Sequence, residues 1–436
     1  MAEQITNYKC PTCSGPLHFA AKSGMMECEY CDSKFSVQEI EKHYAEANAA
    51  AVAAKKDADN APKSDNEWAV TDEHWNGEGM KAYGCPSCGA TLVCDENMAA
   101  SSCPYCGNPT VVPGQFTDML KPDFVLPFKL EKDAALEALK KHYGKRYLLP
   151  QAFKNANHLA EIKGVYVPFW LYDGHSSGDC VYEAVKEEKK RQGQEEIITK
   201  KYYHVERKGT LEFKKIPADA STKMDDSLMD SIEPYNYDDL KPFSKAYLTG
   251  YLADKYDVSA KDDAKRAIER AKQSTKDALY KDVKGYTSVS AKKENVHVTQ
   301  GKAYYAMLPV WLLTTRWNNQ SYTFAMNGQT GKLVGDLPVN KAKSWITILA
   351  VLAVVFGLCV GVMHWPTGTG VILGLIAALI TGLGINSGMK NVRYAVTANN
   401  YIDEKMTKIT HRVDDFVRQE QEKRNLNSNA NTQQKK

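Results

Sequence analysis

The sequence predicts a multi-domain protein that consists of two small four-cysteine zinc ribbons, an α+β middle domain with a possible internal duplication, and an α-helical transmembrane hairpin. Three observations lead to this fold class. Eight of the eleven cysteines form CxxC pairs before residue 107. Short apolar strands and amphipathic helices alternate through the middle of the chain. Two uncharged apolar runs lie close together near its end.

Six segments follow from these patterns. We expect zinc ribbon 1 over residues 1–36, a helical and polar linker over 37–80, zinc ribbon 2 over 81–113, an α+β cytosolic domain over 114–340, the transmembrane hairpin over 341–390, and a helical tail with a disordered end over 391–436. The 436 residues suffice for two or three globular domains besides the hairpin. A net charge of +3 gives no support for a strongly basic nucleic-acid-binding protein.

The two ribbons are predicted from a cysteine motif that occurs twice. Each copy has 14 residues between its two CxxC pairs, and the copies are offset by 75 residues, which indicates an internal duplication. Two cysteines three positions apart in a tight turn can place both thiolates on one metal ion, and two such turns complete a tetrahedron. The expected zinc ligands are Cys10, Cys13, Cys28 and Cys31 in the first ribbon, and Cys85, Cys88, Cys103 and Cys106 in the second.

A site with four cysteine ligands has no open position for water or substrate. Both Zn²⁺ ions are therefore expected to be structural rather than catalytic. Disulfides and rubredoxin-type iron are the alternatives. Between the ribbons, an alanine-rich helix over 37–57 and a polar linker over 59–67 predict two modules with some freedom relative to each other.

The middle domain is predicted to contain strands at 124–130, 164–174, 303–316 and 321–326, and helices at 132–143 and 259–280. Ser259 and Asp262 are placed like a capping box at the start of the second helix. The segment PFWL at 168–171 resembles PVWL at 309–312. We therefore predict two related halves that pack their tryptophan-bearing strands together, with chance similarity of apolar strands as the alternative.

No catalytic constellation stands out in this domain. The segment NGQTGK at 327–332 lacks the first glycine of a phosphate-binding loop, because Met326 occupies that position. Asp173, His175, Cys180 and Glu183 cluster along the sequence and could form a site, although a solvated polar loop is the simpler interpretation.

The hairpin is predicted from two apolar runs of about 20 residues each, a length that lets a helix cross roughly 30 Å of hydrocarbon. Pro366, Gly368 and Gly370 turn the chain between them. Basic residues flank both outer ends (Lys341, Lys343, Lys390 and Arg393), which predicts a two-span protein of the cell membrane with both termini cytoplasmic. A pair of buried helices in a soluble core is the alternative. Glycines spaced four apart predict close packing within the hairpin or dimerisation.

The tail after the hairpin is predicted to be helical. Its apolar residues are spaced 4, 3, 4 and 3 apart, as in about two heptads of a coiled coil: Ile402, Met406, Ile409, Val413 and Phe416. Such a seam is short, so the tail could also dock on the cytosolic domain.

These segments together resemble the uncharacterised bacterial membrane proteins with an N-terminal TFIIB-type zinc ribbon. The resemblance covers most of the chain and rests on YKCPTCSGPL with CEYC, YGCPSCGATL with CPYC, VYVPFWLYDG, MLPVWLLTTRW, NGQTGKLVGDLP and the C-terminal hairpin. It implies zinc, a membrane and a bacterial cell, and it implies no established activity. Some members carry helicase- or primosome-like names, but this chain contains neither a Walker A motif nor a helicase core.

These features favour a membrane-anchored zinc-ribbon binding or scaffold protein with cytosolic recognition modules and no recognisable catalytic site. A nucleic-acid-binding zinc-ribbon protein tethered to the membrane is the alternative, and an enzyme with an unrecognised site in the middle domain is a second alternative. The expected partners are the lipid bilayer and an unknown cytosolic protein, with nucleic acid as a further option. A second copy of the chain could associate through the glycine-rich helix faces or the tail heptads.

Overall fold

The structure, a computed structural model, covers the cysteine modules, the middle domain, the apolar helices and most of the tail. It describes residues 8, 10–13, 17–28, 30–45, 68–71, 73–75, 80–95, 102–108, 111–114, 119–144, 146–155, 159, 161–193, 195–362, 366–388 and 391–425. The linker predicted over 59–67, the hairpin residues His364 and Trp365, the flanking Lys390 and the tail end after residue 425 lie outside these ranges.

The first cysteine module is a small antiparallel sheet followed by a helix. Its elements are β1 (Leu17–Ala20), β2 (Met25–Cys28), β3 (Lys34–Phe35) and α1 (Val37–Ala45), with β2 paired to both other strands. Ser36 and Glu39 cap α1 reciprocally, because each side chain accepts a hydrogen bond from the other residue's backbone N–H, at 3.1 and 2.7 Å. The predicted linker helix is therefore observed as far as Ala45, and its continuation lies outside the described residues.

The second cysteine module belongs to the main sheet. Its strands are β5 (Met80–Gly84), β6 (Thr91–Asp95) and β7 (Val112–Gly114), and they follow the two-residue β4 (His74–Trp75), which pairs with β8 (Met119–Leu120). β6 pairs antiparallel with β13 (Leu252–Asp254) of the middle domain. The expectation of two loosely tethered modules is therefore wrong for this ribbon, because its backbone hydrogen bonds join the sheet.

A mixed sheet of twelve strands forms the middle domain. Its two central strands, β10 (Lys163–Gln192) and β14 (Ser288–Trp317), have 30 residues each and pair antiparallel over most of their length. The other strands of this region are β9 (Phe124–Val125), β11 (Glu195–Asp219), β12 (Lys241–Pro242), β15 (Gln320–Asn327) and β16 (Leu333–Val334). A 30-residue strand is about 100 Å long, so β10 and β14 are several times longer than a typical strand.

Three helices cover this sheet: α2 (Lys132–Gly144), α3 (Asp226–Ile232) and α4 (Ala260–Asp282). The predicted cap of α4 is confirmed, since the Ser259 hydroxyl oxygen accepts a hydrogen bond from the Asp262 backbone N–H at 3.2 Å. Gly178 of β10 permits close contact with α4, because a Cβ there would lie 2.5 Å from a Leu279 methyl carbon. The even-numbered positions of β10 thus face the helix, and the odd-numbered positions face the opposite side of the sheet.

The two tryptophan-bearing segments lie on adjacent strands, as the sequence predicted. Trp170 is opposite Tyr305, and Gly164 is opposite Trp311, in the β10–β14 pairing. Both rings are buried. The packing of the two segments is thus observed, and the duplication itself stays a prediction.

The tail is a strand, and the predicted heptad helix is wrong. After two short 3₁₀ turns, Asn399–Tyr401 and Glu404–Met406, the chain forms β17 (Lys408–Asn425), which pairs antiparallel with β11 along its length. β11 offers a long strand edge whose N–H and C=O groups β17 satisfies, and β-branched residues such as Ile409 and Val413 suit a strand. Because the tail is not a helix, the expected association of two chains through tail heptads has no structural basis.

The two apolar segments form a pair of antiparallel helices. α5 (Lys341–Gly357) continues into a π-helical turn at Leu358–Val362, and α6 (Thr367–Gly388) returns. Gly370, Gly374 and Gly382 of α6 lie against α5 and its π-helical turn, and each lies beside an earlier part of that segment than the glycine before it. Gly357 and Gly361 of the other predicted small-residue step have nothing within 4 Å of an added Cβ. Both helices are long and apolar enough to cross a membrane, and only 6% and 17% of their most apolar stretches is buried inside the structure.

Candidate metal centres

The first candidate metal centre joins the two CxxC turns of ribbon 1. The sulfur atoms of Cys10 and Cys31 are 3.5 Å apart, and those of Cys13 and Cys28 are also 3.5 Å apart. All four sulfur atoms lie within 4.8 Å of one another. Ligands on a tetrahedral zinc ion, each about 2.3 Å from it, are about 3.8 Å apart. The four thiols therefore have the spacing that one zinc ion requires.

The second centre has the same arrangement in ribbon 2. The sulfur atoms of Cys85 and Cys106 are 3.6 Å apart, and those of Cys88 and Cys103 are 3.7 Å apart. Within the part of the chain that the structure describes, these two groups are the clusters of three or more ligand-type side chains close enough for one ion. All eight predicted cysteines are thus brought together in two sets of four.

The backbone turns explain this geometry. The residue after the second cysteine of a CxxC pair has a positive φ in three turns: Asp32 at 57°, Gly89 at 72° and Gly107 at 66°. In each, the N–H of that residue donates to the carbonyl of the first cysteine, at 2.9–3.1 Å. Glycine adopts such a φ without strain, and aspartate tolerates it better than most residues do.

The two centres differ in their surroundings. The second CxxC turn of ribbon 2 packs against the middle domain, where the Thr314 hydroxyl donates to the carbonyl of Pro104 at 2.7 Å and the Arg316 side chain donates to that of Cys106 at 3.0 Å. Tyr105 in this turn is 6% exposed, whereas Tyr30 at the corresponding position of ribbon 1 is 76% exposed. Ribbon 2 is thus built into the sheet, and ribbon 1 keeps its second turn at the surface.

The thiol pKa values differ between the two sets of cysteines. Hydrogen bonding to Ser33 lowers the pKa of Cys31 to about 6. Burial raises the pKa of Cys85, but the backbone N–H groups of Cys88 and Ser87 outweigh it and lower the value to about 7. Burial raises the pKa of Cys88 to about 11 and that of Cys103 further. The buried thiols of Cys88 and Cys103 thus hold their protons in the absence of a cation, and metal binding by ribbon 2 would release these protons.

The remaining cysteines and the weaker candidate do not form a site. Cys94, Cys180 and Cys359 are buried and lie outside both groups of four. Along β10, Cys180 faces α4, whereas His175 and Glu183 are on the opposite face, because side chains alternate along a strand. Asp173 accepts a hydrogen bond from the Lys215 backbone N–H at 2.7 Å. The suggested cluster on this strand is therefore wrong.

A set of hydrogen bonds, which no sequence motif predicts, joins the two ends of the helix pair, and we call it the clasp. We use this name for Gly335 and Asp336 before α5 and Asn391 and Val392 after α6. The Asp336 carboxylate accepts hydrogen bonds from the backbone N–H groups of Asn391 and Val392 at 2.9 and 3.2 Å. The Asn391 side chain accepts one from the Gly335 N–H at 2.9 Å. Both ends of the helix pair are thus held together on the middle domain.

Buried charges then hold the chain that follows α6. The Arg270 guanidinium donates two hydrogen bonds to Glu233, at 3.0 and 2.5 Å, and a third to the carbonyl of Thr397 at 3.2 Å. The Tyr401 hydroxyl also donates to Glu233 at 2.7 Å. Arg266, one turn before Arg270 in α4, forms an ion pair with Asp219 at 2.9 Å. These contacts involve residues far apart in sequence, so no local pattern could have identified them.

Comparison with known proteins gives one curated relative. The chain is 31% identical over 348 residues to the uncharacterized protein YdjG of Bacillus subtilis strain 168, and the match covers 79% of this chain and 94% of that protein. No protein-family model matches the chain, and no solved structure matches it.

Proposed function

Because the chain belongs to the same protein family as YdjG of Bacillus subtilis, and because it has two four-cysteine groups and two apolar helices, we propose that it is a membrane-anchored zinc-binding scaffold protein. In this proposal the helix pair crosses the bilayer, each cysteine group holds one structural Zn²⁺, and the extramembrane part recognises another macromolecule at the cytoplasmic face. The resemblance to TFIIB-type zinc-ribbon membrane proteins supports the same assignment.

The observation that carries the proposal is the combination of two closed thiol sites with a helix pair whose ends are joined. The clasp supports a topology in which the chain before α5 and the chain after α6 lie on the same side of the bilayer. The basic residues Lys341, Lys343 and Arg393 at these ends favour the cytoplasmic side. Reducing conditions there keep cysteines available as metal ligands.

A scaffold role is favoured over metal-dependent catalysis by the ligand set. Four thiolates fill the coordination sphere of a zinc ion, so neither ion could activate water or polarise a substrate. What the two ions can do is fix the shape of small modules that could not fold on their own cores. Ribbon 1, with Cys13 and Tyr30 exposed, is the module we assign to partner recognition.

The test uses the full chain purified from membranes in detergent. Elemental analysis should find two zinc ions per chain, and the protein should stay in the membrane through an alkaline carbonate wash. A photo-crosslinking residue in place of Tyr30 should capture a specific cytosolic protein, and the same residue in place of Tyr105 serves as the matched buried control. Release from membranes by carbonate, or fewer than one zinc per chain, would overturn the proposal. Crosslinks to nucleic acid from Tyr30 would instead favour the nucleic-acid alternative.

A further inference from the structure

A cleft opens between the helix ends at the base of the helix pair. Its volume is about 190 Å³, and its lining consists of Val339, Lys341, Ser344, Trp345, Gly382 and Ile385. The first turn of α5 supplies the polar groups, and the last turns of α6 supply an apolar wall. The cleft therefore lies at the level where a bilayer's headgroups would meet the cytoplasm.

The polar side chains in this cleft point to an anionic ligand. Lys341 carries an ammonium group, Ser344 a hydroxyl and Trp345 an indole N–H, and no carboxylate is among the lining residues. None of these three side chains has a hydrogen-bond or ion-pair partner among the residues that the structure describes. Three donors and one positive charge suit a phosphate group, which has several acceptor oxygens and a negative charge.

The three polar side chains of the cleft are not needed to cap the first turn of α5. The Asn340 side chain accepts a hydrogen bond from the Lys343 N–H at 3.1 Å, and its carbonyl accepts one from the Ser344 N–H at 2.9 Å, so the start of α5 is already capped. The ammonium of Lys343 lies 5.2 Å from the centre of the Tyr147 ring and does not line the cleft. Lys341 and Lys343 thus differ in direction although they are two residues apart.

The surfaces around the cleft are apolar. Trp345 is 64% exposed, and Ile346, Leu349 and Leu383 are each more than half exposed along the two helices. A free phosphate would gain nothing from these side chains, whereas the acyl chains of a phospholipid would cover them. The chemistry beside the phosphate site is therefore that of a lipid.

We propose that this cleft binds the phosphate of an anionic phospholipid, with Lys341, Ser344 and Trp345 as its ligands and the acyl chains against α5 and α6. The inference rests on the proposed membrane insertion of the helix pair. Its consequence would be a fixed orientation of the middle domain on the membrane, because the clasp and the cleft both lie at the base of the helix pair.

The experiment measures lipid retention by the full chain with native mass spectrometry. Protein in detergent is titrated with phosphatidylglycerol or with phosphatidylcholine, and Lys341→Gln is compared with Lys343→Gln. We expect one phosphatidylglycerol to bind in preference to phosphatidylcholine, and Lys341→Gln to weaken this binding about fivefold, the effect of one basic residue at an anionic lipid surface. Lys343→Gln should leave it within about twofold, because the Lys343 ammonium lies over the Tyr147 ring and does not line the cleft.

A second readout follows Trp345 directly. The fluorescence difference between the wild type and Trp345→Phe isolates the emission of this indole, and a brominated phosphatidylglycerol should quench it more than a brominated phosphatidylcholine does. Equal quenching by both lipids, or an equal loss of lipid binding in the two lysine variants, would overturn the proposed binding site in the cleft. Displacement of the lipid by millimolar inorganic phosphate alone would overturn the lipid assignment. Release of the wild type by carbonate would instead refute membrane insertion, so the two failures are distinguishable.

Discussion

Loss of the metal from ribbon 2 should unfold the middle domain, whereas loss of the metal from ribbon 1 should not. The perturbation is the double substitution Cys103→Ser with Cys106→Ser, which removes the second CxxC turn of ribbon 2. Cys28→Ser with Cys31→Ser is the matched control, because it removes the corresponding turn of ribbon 1. A structural zinc ion contributes about 10–16 kcal/mol to the folding of its module, so each double variant should lose that module's fold.

The expected difference follows from the contacts that each ribbon makes. Carbonyl groups of ribbon 2 accept hydrogen bonds from Lys163, Thr314 and Arg316 of the middle domain, which contribute about 1 kcal/mol each. It also buries Leu92 and Tyr105, at about 2–3 kcal/mol each. The total of about 7–9 kcal/mol is comparable with the whole stability of a domain, about 5–15 kcal/mol.

Ribbon 1 contributes less to the stability of the middle domain. Its contacts include one exposed hydrogen bond from the Lys22 N–H to Glu131 at 3.3 Å, and one ring pair between Phe19 and Tyr247 with centres 5.1 Å apart. With the burial of Phe19 counted as for Leu92 and Tyr105, these contacts are worth about 3–5 kcal/mol. The control variant should therefore keep a cooperative unfolding transition of the middle domain, at a midpoint below that of the wild type.

The assay is thermal unfolding of the full chain in detergent, followed by tryptophan fluorescence, with limited proteolysis to identify the unfolded part. Zinc content, measured in parallel, should fall from two ions to one in both variants. The ribbon 2 variant should lose the cooperative transition and release fragments of the middle domain. An unchanged transition in the ribbon 2 variant, or an equal loss in both variants, would refute the claim that ribbon 2 is a structural part of the sheet.

Three further predictions concern the sheet, the clasp and the buried charges. Gly107→Ala should lower the free energy of unfolding by about 1–2 kcal/mol, because Gly107 has a positive φ. Gly24→Ala should lower it less, since Gly24 has the same φ but open space around the added carbon. Chemical unfolding of the two variants measures this difference. Asp336→Ala should leave two backbone N–H groups unpaired and increase hydrogen exchange over residues 391–401, measured by mass spectrometry. Burial raises the pKa of Asp219 from 3.8 to about 7, so the folded state holds this proton more tightly than the unfolded state does. The contribution of Asp219 to the free energy of unfolding should therefore fall as pH rises from about 4 to about 7. In thermal melts across this range, Asp219→Asn should show a weaker dependence of stability on pH.

The two groups of four cysteines could be predicted because the signal is local. A CxxC turn brings two sulfur atoms together through its own backbone, and an equal spacing of 14 residues in both copies implies the same fold for each. The apolar helices were predictable for a similar reason, since length and composition decide whether a helix can cross a membrane. In both cases the sequence within one segment determines the structure.

What could not be predicted depends on pairing between distant segments. The tail's apolar spacing fits a helix, but the edge of β11 decides its structure, and Tyr203 of that strand meets Phe416 with ring centres 5.7 Å apart. The joining of ribbon 2 to the sheet depends likewise on Leu92 lying opposite Asp254. Tertiary pairing overrides local periodicity wherever a long strand has an unpaired edge.

The same kind of pairing bears on the predicted duplication of the middle domain. The Trp170 indole N–H donates to the carbonyl of Val258 at 2.9 Å, and the Trp311 indole N–H donates to that of Leu130 at 3.0 Å. Each acceptor lies two residues before a helix, α4 and α2 respectively. Each half thus places its tryptophan against the helix entry of the other half.

The strand registers agree with this exchange. Leu252 of β13 lies opposite Val165 of β10, and Phe124 of β9 lies opposite Ala306 of β14, both in parallel pairs. Val165 and Ala306 stand at the same distance before the PxWL segments of their strands. On the outer side, however, β13 pairs with β6 of ribbon 2, whereas β9 pairs with the two-residue β12. If the halves are duplicates, ribbon 2 covers a sheet edge that the other half closes with a short strand, so a four-cysteine module fills one of two equivalent positions in the sheet.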